Sequence, residues 1–299
     1  MTFSGVSQHF NSQNNWRKYK HEISVGTGIA NYMGDLGGLD TQGKEFFLFD
    51  LEFSQFKKSF ACSYRYNAFK NASFHGKVFY GTVSGSDALT RQPQRTARNL
   101  SFKSNIIECS ASYEYFIFKS KPGHLYHIKG TKATNPNPLS LYVFAGVGGF
   151  YFNPKAEYNG SYVALQPLGT EGQGISGKSK KYSRISVSIP TGMGMSLRLW
   201  LNFKLSMDMS YNFTFTDYLD DVSGLYFDND QIRFFNGDAA ADLANRADPS
   251  APSTWSQAGA IRGNSKNNDA FLSTVVSLTY TFMRKNPVPR RPKKHSFQN

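Results

Sequence analysis

No run of apolar residues in this chain is long enough for a membrane-crossing helix, which takes about 18 or more in succession. The longest run, residues 141–152, is broken by glycines, so helical membrane proteins are excluded. Cysteine is almost missing: Cys62 and Cys109 allow at most one disulfide. Both fall on predicted strands two apart in order, about 10 Å from each other at about 4.8 Å per strand step. A bridge needs Cα atoms within about 7 Å, so both thiols are expected to stay free. There is no G-x-S-x-G elbow and no H-E-x-x-H pair. His124 and His127 have no carboxylate or cysteine nearby to complete a metal site, and the other histidines are scattered. The expectation is a chain with no catalytic residues, no cofactor and no small-molecule substrate. An export signal is also missing from residues 1–20, which are polar and lack an apolar core. For an exported protein, this means that the numbering starts in the mature chain or that a start lies upstream.

Aromatic rings are what the chain has in excess. Phe (26) and Tyr (17) lift the aromatic share to 15%, although only 39% of residues are apolar and the mean hydropathy is −0.46. A β-barrel in lipid reconciles these values, because only alternate residues touch hydrocarbon and both membrane interfaces recruit aromatics.

Period-two alternation carries the fold assignment. Over 184–199, Ile185, Val187, Ile189, Thr191, Met193, Met195, Leu197 and Leu199 interleave with Arg184, Ser186, Ser188, Pro190, Gly192, Gly194, Ser196 and Arg198. Segments 203–215 and 271–282 repeat the pattern, and 21–33, 59–69, 74–84, 102–118 and 139–152 follow it less cleanly. The spacing predicts an all-β fold: an eight-stranded antiparallel transmembrane β-barrel with long external loops, an even strand number as bacterial barrels require. Connections 70–73 and 200–202 are short, whereas 34–58, 85–101, 153–183 and 216–270 are long. Long and short therefore alternate, which puts the long loops at one end and both termini at the other. The link 119–138, about twenty residues on the short side, breaks the rule. The predicted inward set carries Glu22, Glu108, Glu114 and Asp208 against Arg65, Lys77, Arg184, Arg198 and Lys204. An eight-stranded interior is only wide enough for side chains, and buried charges must be paired, so this nearly balanced set predicts a plugged lumen.

The net charge of +13 prompts the question of nucleic acid. The charge does not track a face: six Lys or Arg and no acid lie in the Pro-rich stretch 284–299. A nucleic-acid role is not expected. Division of the chain follows: a polar N-terminal extension over 1–20, the barrel over 21–283, and a basic tail over 284–299. Lys119, Lys121, Lys129 and Lys132 of the long link, with Arg284, Lys285, Arg290, Arg291, Lys293 and Lys294 of the tail, share the short-turn end. They exceed what barrel closure requires and are the candidate partner-contact surface.

Two further motifs resemble ligand sites. Residues 172–179 (GQGISGKS) match the phosphate-loop pattern G-x-x-x-x-G-K-[ST] literally. That loop works between a buried strand and a helix N-terminus. Here Pro167 precedes it and an alternating strand pattern follows, so no nucleotide site is expected. Asp217, Asp220 and Asp221, with Asp228 and Asp230 beyond, are dense enough in oxygen to suggest Ca²⁺, but their spacing matches no calcium loop.

Residues 31–38 (NYMGDLGG), 153–174 (NPKAEYNGSYVALQPLGTEGQG) and 216–223 (TDYLDDVS), with 64–67 (YRYN), resemble the PorG-like outer-membrane barrels associated with type IX secretion. The likeness runs from about residue 21 to residue 282. It implies a non-catalytic accessory or anchoring component of that secretion machine in the outer membrane of a Gram-negative bacterium, with periplasmic termini. It also implies contact with periplasmic ring lipoprotein and partner subunits, besides outer-membrane lipid. The rival readings are a small pore, a barrel enzyme with a site at its rim, and a soluble lipocalin-like binding barrel.

Overall fold

The computed structural model describes residues 16–17, 19–36, 55–90, 92–120, 138–175, 180–200 and 202–283. Its strands are β1 (His21–Met33), β2 (Lys57–Tyr66), β3 (Ala72–Ser86), β4 (Ser101–Phe118), β5 (Leu139–Tyr158), β6 (Ser161–Ala164), β7 (Ile185–Arg198), β8 (Phe203–Thr214) and β9 (Ala270–Phe282). The sheet order is β4-β3-β2-β1-β9-β8-β7-β5-β6, and a further β4–β5 pairing joins its far strands into a ring. Every pairing is antiparallel. The chain is thus a closed eight-stranded up-and-down barrel, as the alternation predicts, with β6 as a short extra strand folded back on the end of β5.

Alternation decides which way each residue points. On β9, Val276, Leu278 and Tyr280 face outward, while Ser277 and Thr279 are buried in the lumen. On β8, Leu205 and Met207 are exposed, and Lys204 and Ser206 are buried. The exterior is zoned along the barrel axis. Near the short-turn end, outward rings touch one another: Trp200 against Phe203 (6.2 Å between centroids), Phe203 against Tyr280 (5.3 Å) and Phe74 against Tyr113 (5.8 Å). At mid-height several outward residues are aliphatic, among them Val25, Val78, Val147 and Val276, alongside Met207 and the exposed Cys62 and Cys109. Toward the long-loop end rings return, with Tyr80, Tyr151 and Phe215 exposed.

The sequence reading stops β5 at residue 152, whereas the strand runs twenty residues to Tyr158. The extra turn of strand exists because Asn159 (φ 49°) and Gly160 (φ 76°) both adopt left-handed backbone, the geometry of a two-residue hairpin turn. β6 returns from that turn and pairs with residues 155–158 of β5. The long connections also hold structure that alternation does not announce: a 3-10 turn Asp87–Leu89, α1 (Pro93–Arg98), α2 (Asn229–Asn236), α3 (Asp238–Ala244) and an isolated bridge between Leu225 and Ile261. Cys62 and Cys109 both pair with Val78 from opposite sides and are free, as their separation predicts.

Candidate functional site

Buried side chains fill the lumen in two layers. Nearer the short turns lies an ion-pair network centred on Arg65. Its guanidinium donates from Nε and Nη2 to Glu114 (2.6 and 2.9 Å), from Nη1 to Glu22 Oε2 (3.3 Å) and from Nη2 to Tyr142 Oη (3.0 Å). Lys204 Nζ reaches Glu22 Oε1 at 2.5 Å, the Tyr142 hydroxyl donates to Asp208 Oδ1 at 2.5 Å, and His75 Nδ1 lies 3.2 Å from Glu114 Oε1. Strands β1, β2, β3, β4, β5 and β8 are therefore tied through one network of charged and polar side chains. Gly194 on β7 makes room for the hub, since a Cβ there would collide with the Tyr142 ring. Glu108 sits outside this network, with Oε1 accepting from Ser188 at 2.6 Å and Oε2 without a partner among the described residues.

The remaining sequence-selected charges are dispersed. Lys77 is half-buried with its ammonium over the Phe79 ring (5.6 Å), Arg184 lies at the long-loop rim over Tyr151 (5.6 Å), and Arg198 lies at the opposite rim over Tyr19 (5.7 Å). Lys119 differs from its expected place on a contact surface. Its ammonium turns inward, over the Phe116 ring at 4.3 Å, and donates to Asn67 Oδ1 at 2.5 Å. The other candidate contact residues, Lys121, Lys129, Lys132 and those of 284–299, lie outside the described residues, as do His124 and His127.

Above the charges the lumen turns aromatic. Phe79, Phe150, Phe152 and Phe271 are fully buried. Phe271 contacts Phe79 and Phe150 (6.2 and 6.1 Å), Phe152 stacks on Tyr182 (6.2 Å), and Tyr182 stacks on Tyr218 (4.4 Å). Stacked rings thus continue from inside the barrel into the described parts of the long loops, which form a cap at its mouth.

Two buried arginines hold the cap. Arg98, at the end of α1, makes a two-pronged pair with Asp87 (2.7 Å for each bond) and donates to the carbonyls of Asp35 (3.0 Å) and Arg262. Arg262 in turn donates to Glu171 Oε1 (2.9 Å) and to the Asp221 carbonyl (2.6 Å). Glu171 also accepts the backbone N–H of Ser223 at 2.9 Å. Asp221 has the uncommon left-handed conformation for a non-glycine residue (φ 68°) and accepts hydroxyl bonds from Thr170 (2.5 Å) and Tyr182 (2.6 Å). The stretches 31–38, 153–174 and 216–223, far apart in sequence, therefore meet in the cap through Tyr32, Asp35, Thr170, Glu171 and Asp217–Asp221. A second apolar cluster, Ile175 with Ile232, Ala240, Ala241 and Ala244, pins α2 and α3 to the 165–175 segment.

Electrostatics follow from this enclosure. Burial pushes Asp217 up to about 8, and burial against the pull of Arg262 leaves Asp221 at about 6. The two, with Asp220, belong to no group of acidic or histidine side chains able to hold a metal ion among the described residues. The phosphate-loop lookalike is no cradle either: the Gly172 N–H is taken by Gly169 O (2.9 Å) and the Ile175 N–H by Gly172 O (3.3 Å). Residues 176–179 lie outside the described residues, and β7 follows rather than a helix.

A prediction arises from the cap alone. Arg98→Ala leaves the buried Asp87 without its charged partner, a loss of about 1.5–3 kcal/mol for charged hydrogen bonds. Protease should then cut 87–100 and 216–269 faster while the barrel stays folded. Unchanged cleavage would mean that apolar packing, and not Arg98, closes the mouth.

Comparison with known proteins places these features in context. A protein-family model described as "Domain of unknown function (DUF6089)" matches residues 7–242. No curated protein matches the sequence. Among solved structures, the chain is similar to Ail, the attachment invasion locus protein of Yersinia pestis, determined in complex with the heparin analogue sucrose octasulfate (10% identity, TM-score 0.38, covering 89% of this chain and 99% of that one). It is also similar to Neisserial surface protein A (11%, 0.38, 88% and 97%) and to a major outer membrane protein from Thermus thermophilus (13%, 0.36, 88% and 99%). These likenesses concern architecture; the closed ring itself rests on the strand register.

Proposed function

We propose that this chain, which belongs to the DUF6089 family, is a non-catalytic barrel of the Gram-negative outer membrane that serves as an accessory or anchoring component of a type IX-like secretion machine. The observation that carries the membrane part of this reading is the apolar exterior: each of the eight barrel strands presents large apolar side chains outward, with Val25, Val78, Val147 and Val276 at mid-height and aromatic side chains toward both ends. Water penalises so large an apolar surface, whereas hydrocarbon flanked by two interfaces favours it. Short turns and termini then lie on the periplasmic side and the cap outside the cell. A filled lumen under a cap supports a scaffold over a pore.

The secretory role rests on the resemblance of 31–38, 153–174 and 216–223 to PorG-like barrels and on the surplus basic residues Lys121, Lys129 and Lys132 of the long link and those of 284–299. In this reading the barrel fixes a position, and those segments hold periplasmic partner proteins. Two measurements test the halves separately. The full chain should resist carbonate extraction from membranes, and release into the wash overturns the membrane assignment. Pull-down from detergent-solubilised membranes with mass spectrometry should recover periplasmic secretion subunits, with lower yield and lower salt resistance for a variant ending at Phe282. Undiminished recovery by that variant removes the tail from the contact surface, and recovery of no secretion subunit removes the secretory role.

A further inference from the structure

Tyr32, one residue from the loop end of β1, carries its hydroxyl into the acidic part of the cap. Its Oη lies 2.7 Å from Asp220 Oδ2 and 2.5 Å from Asp269 Oδ1, and accepts the Asp35 backbone N–H at 3.0 Å. All three side chains are buried. A phenol has one proton to donate. If both carboxylates were ionised, Tyr32 would donate to one and turn a lone pair toward the other at hydrogen-bonding distance. The count closes only when one carboxyl is protonated and donates to Oη. Backbone geometry locates that proton on the oxygens facing Tyr32, because the outer ones are engaged: Asp220 Oδ1 accepts the Val222 N–H (2.9 Å) and Asp269 Oδ2 the Leu219 N–H (2.9 Å). Neither aspartate forms an ion pair among the described residues.

We propose that Asp220, Asp269 and Tyr32 form a proton-binding latch, in which one proton shared by two aspartates across a phenol ties the 216–269 loop to β1 and its loss frees the cap. Burial raises both carboxyls, and each is raised further by a neighbouring carboxylate, Asp35 for Asp220 and Asp220 for Asp269. The groups around the pair are Asp35 beyond β1, Asp217 and Asp221 on the same loop, Glu171 from the 165–175 segment, and Arg98 and Arg262, which are engaged with Asp87 and Glu171. A carboxyl raised in the folded state stabilises it below the ordinary carboxylate range and loses that contribution as pH rises through the folded value. Asp221 (about 6) and Asp217 (about 8) act in the same sense. The cap therefore closes in acid and loosens in base.

The test uses the full chain in phosphatidylcholine nanodiscs with carboxyl-labelled aspartate. NMR titration between about pH 5 and pH 9 reads protonation, and protease cleavage of 216–269 reads closure. One carboxyl of the pair should remain protonated at neutral pH, and the latch should contribute on the order of tenfold in cleavage per pH unit. Asp269→Asn and Asp220→Asn each place a neutral donor where the protonated acid stood, so each should remove that resonance and lower the pH slope by one proton. Asp217→Asn should remove a different resonance and leave this one. Two ionised carboxylates at neutral pH in the unaltered chain overturn the latch whether or not any variant folds. An unchanged slope in both Asn variants overturns it too, as does loss of the protonated resonance on adding calcium chloride with no gain in cleavage, which would make the pair a cation site.

Discussion

Replacing Arg65 by alanine is expected to destabilise the barrel by about 3–5 kcal/mol, the usual cost of removing one partner from a buried ion pair. The size of the effect comes from what stays behind. Glu114 loses its two charged hydrogen bonds, Glu22 keeps only Lys204 and Asn67, and Tyr142 loses a donor. Those carboxylates lie at 1% exposure or less, so water does not replace the lost contacts. A second variant separates uncompensated charge from lost packing. Arg65→Met combined with Glu114→Gln retains volume and removes a charge of each sign, so it should recover much of the loss. Equilibrium unfolding by urea in a bilayer or detergent measures both. A single-variant loss below about 0.5 kcal/mol would mean that the lumen is wet enough to screen its charges, and the plugged interior would have to be given up.

The second large effect is expected on the outside. Val276 lies at the middle of β9 and faces away from the lumen between Thr27 and Met207. Val276→Arg should cost about 2–4 kcal/mol in a phospholipid bilayer, whereas Phe282→Arg, at the end of the same strand, should cost about 0–1 kcal/mol, because the penalty for a cation on a barrel wall falls from midplane to interface. The gradient matters more than either value. A wall bathed in water tolerates an exposed arginine to within about 0.5 kcal/mol at either depth, so equal and small losses would contradict the lipid-facing reading.

Much of the barrel is legible in the sequence because an eight-stranded cylinder enforces a two-residue period on everything it pairs. The runs 184–199, 203–215 and 271–282 locate three strands to within two residues of β7, β8 and β9. The period reads poorly where glycine replaces a side chain, as at Gly146, Gly148 and Gly149 of β5, and where a strand leaves the barrel wall. The β5–β6 hairpin left a signal that alternation does not weigh: the Asn159-Gly160 pair, whose residues favour left-handed turns. α2 left another, since Asp228 caps the helix by accepting from the N–H groups of Asp230 and Gln231, and Gly237 ends it. The cap was not legible in the same way. Arg98 and Arg262 read as ordinary loop cations, and Tyr32 as the end of a strand. Their partners are set by how the long loops fold across the mouth, which no local spacing encodes. Lys119 shows the converse: a basic residue of a long link, read as surface, has its ammonium held inside by Asn67 and the Phe116 ring.

The pairing of β1 with β9, from His21 opposite Phe282 to Met33 opposite Ala270, has a consequence for assembly. Each of these partners also pairs with its sequence neighbour, β1 with β2 and β9 with β8, so the seam joins the first and last strands of the barrel. Until it zips, two thirteen-residue edges stand open with unmet backbone donors and acceptors, and such edges recruit strands from other molecules. Contacts at that sequence separation form slowly. Open margins of this length favour clumping over closure, so a lesion shortening β9 is expected to show itself first as aggregation, before loss of whatever the finished cylinder does.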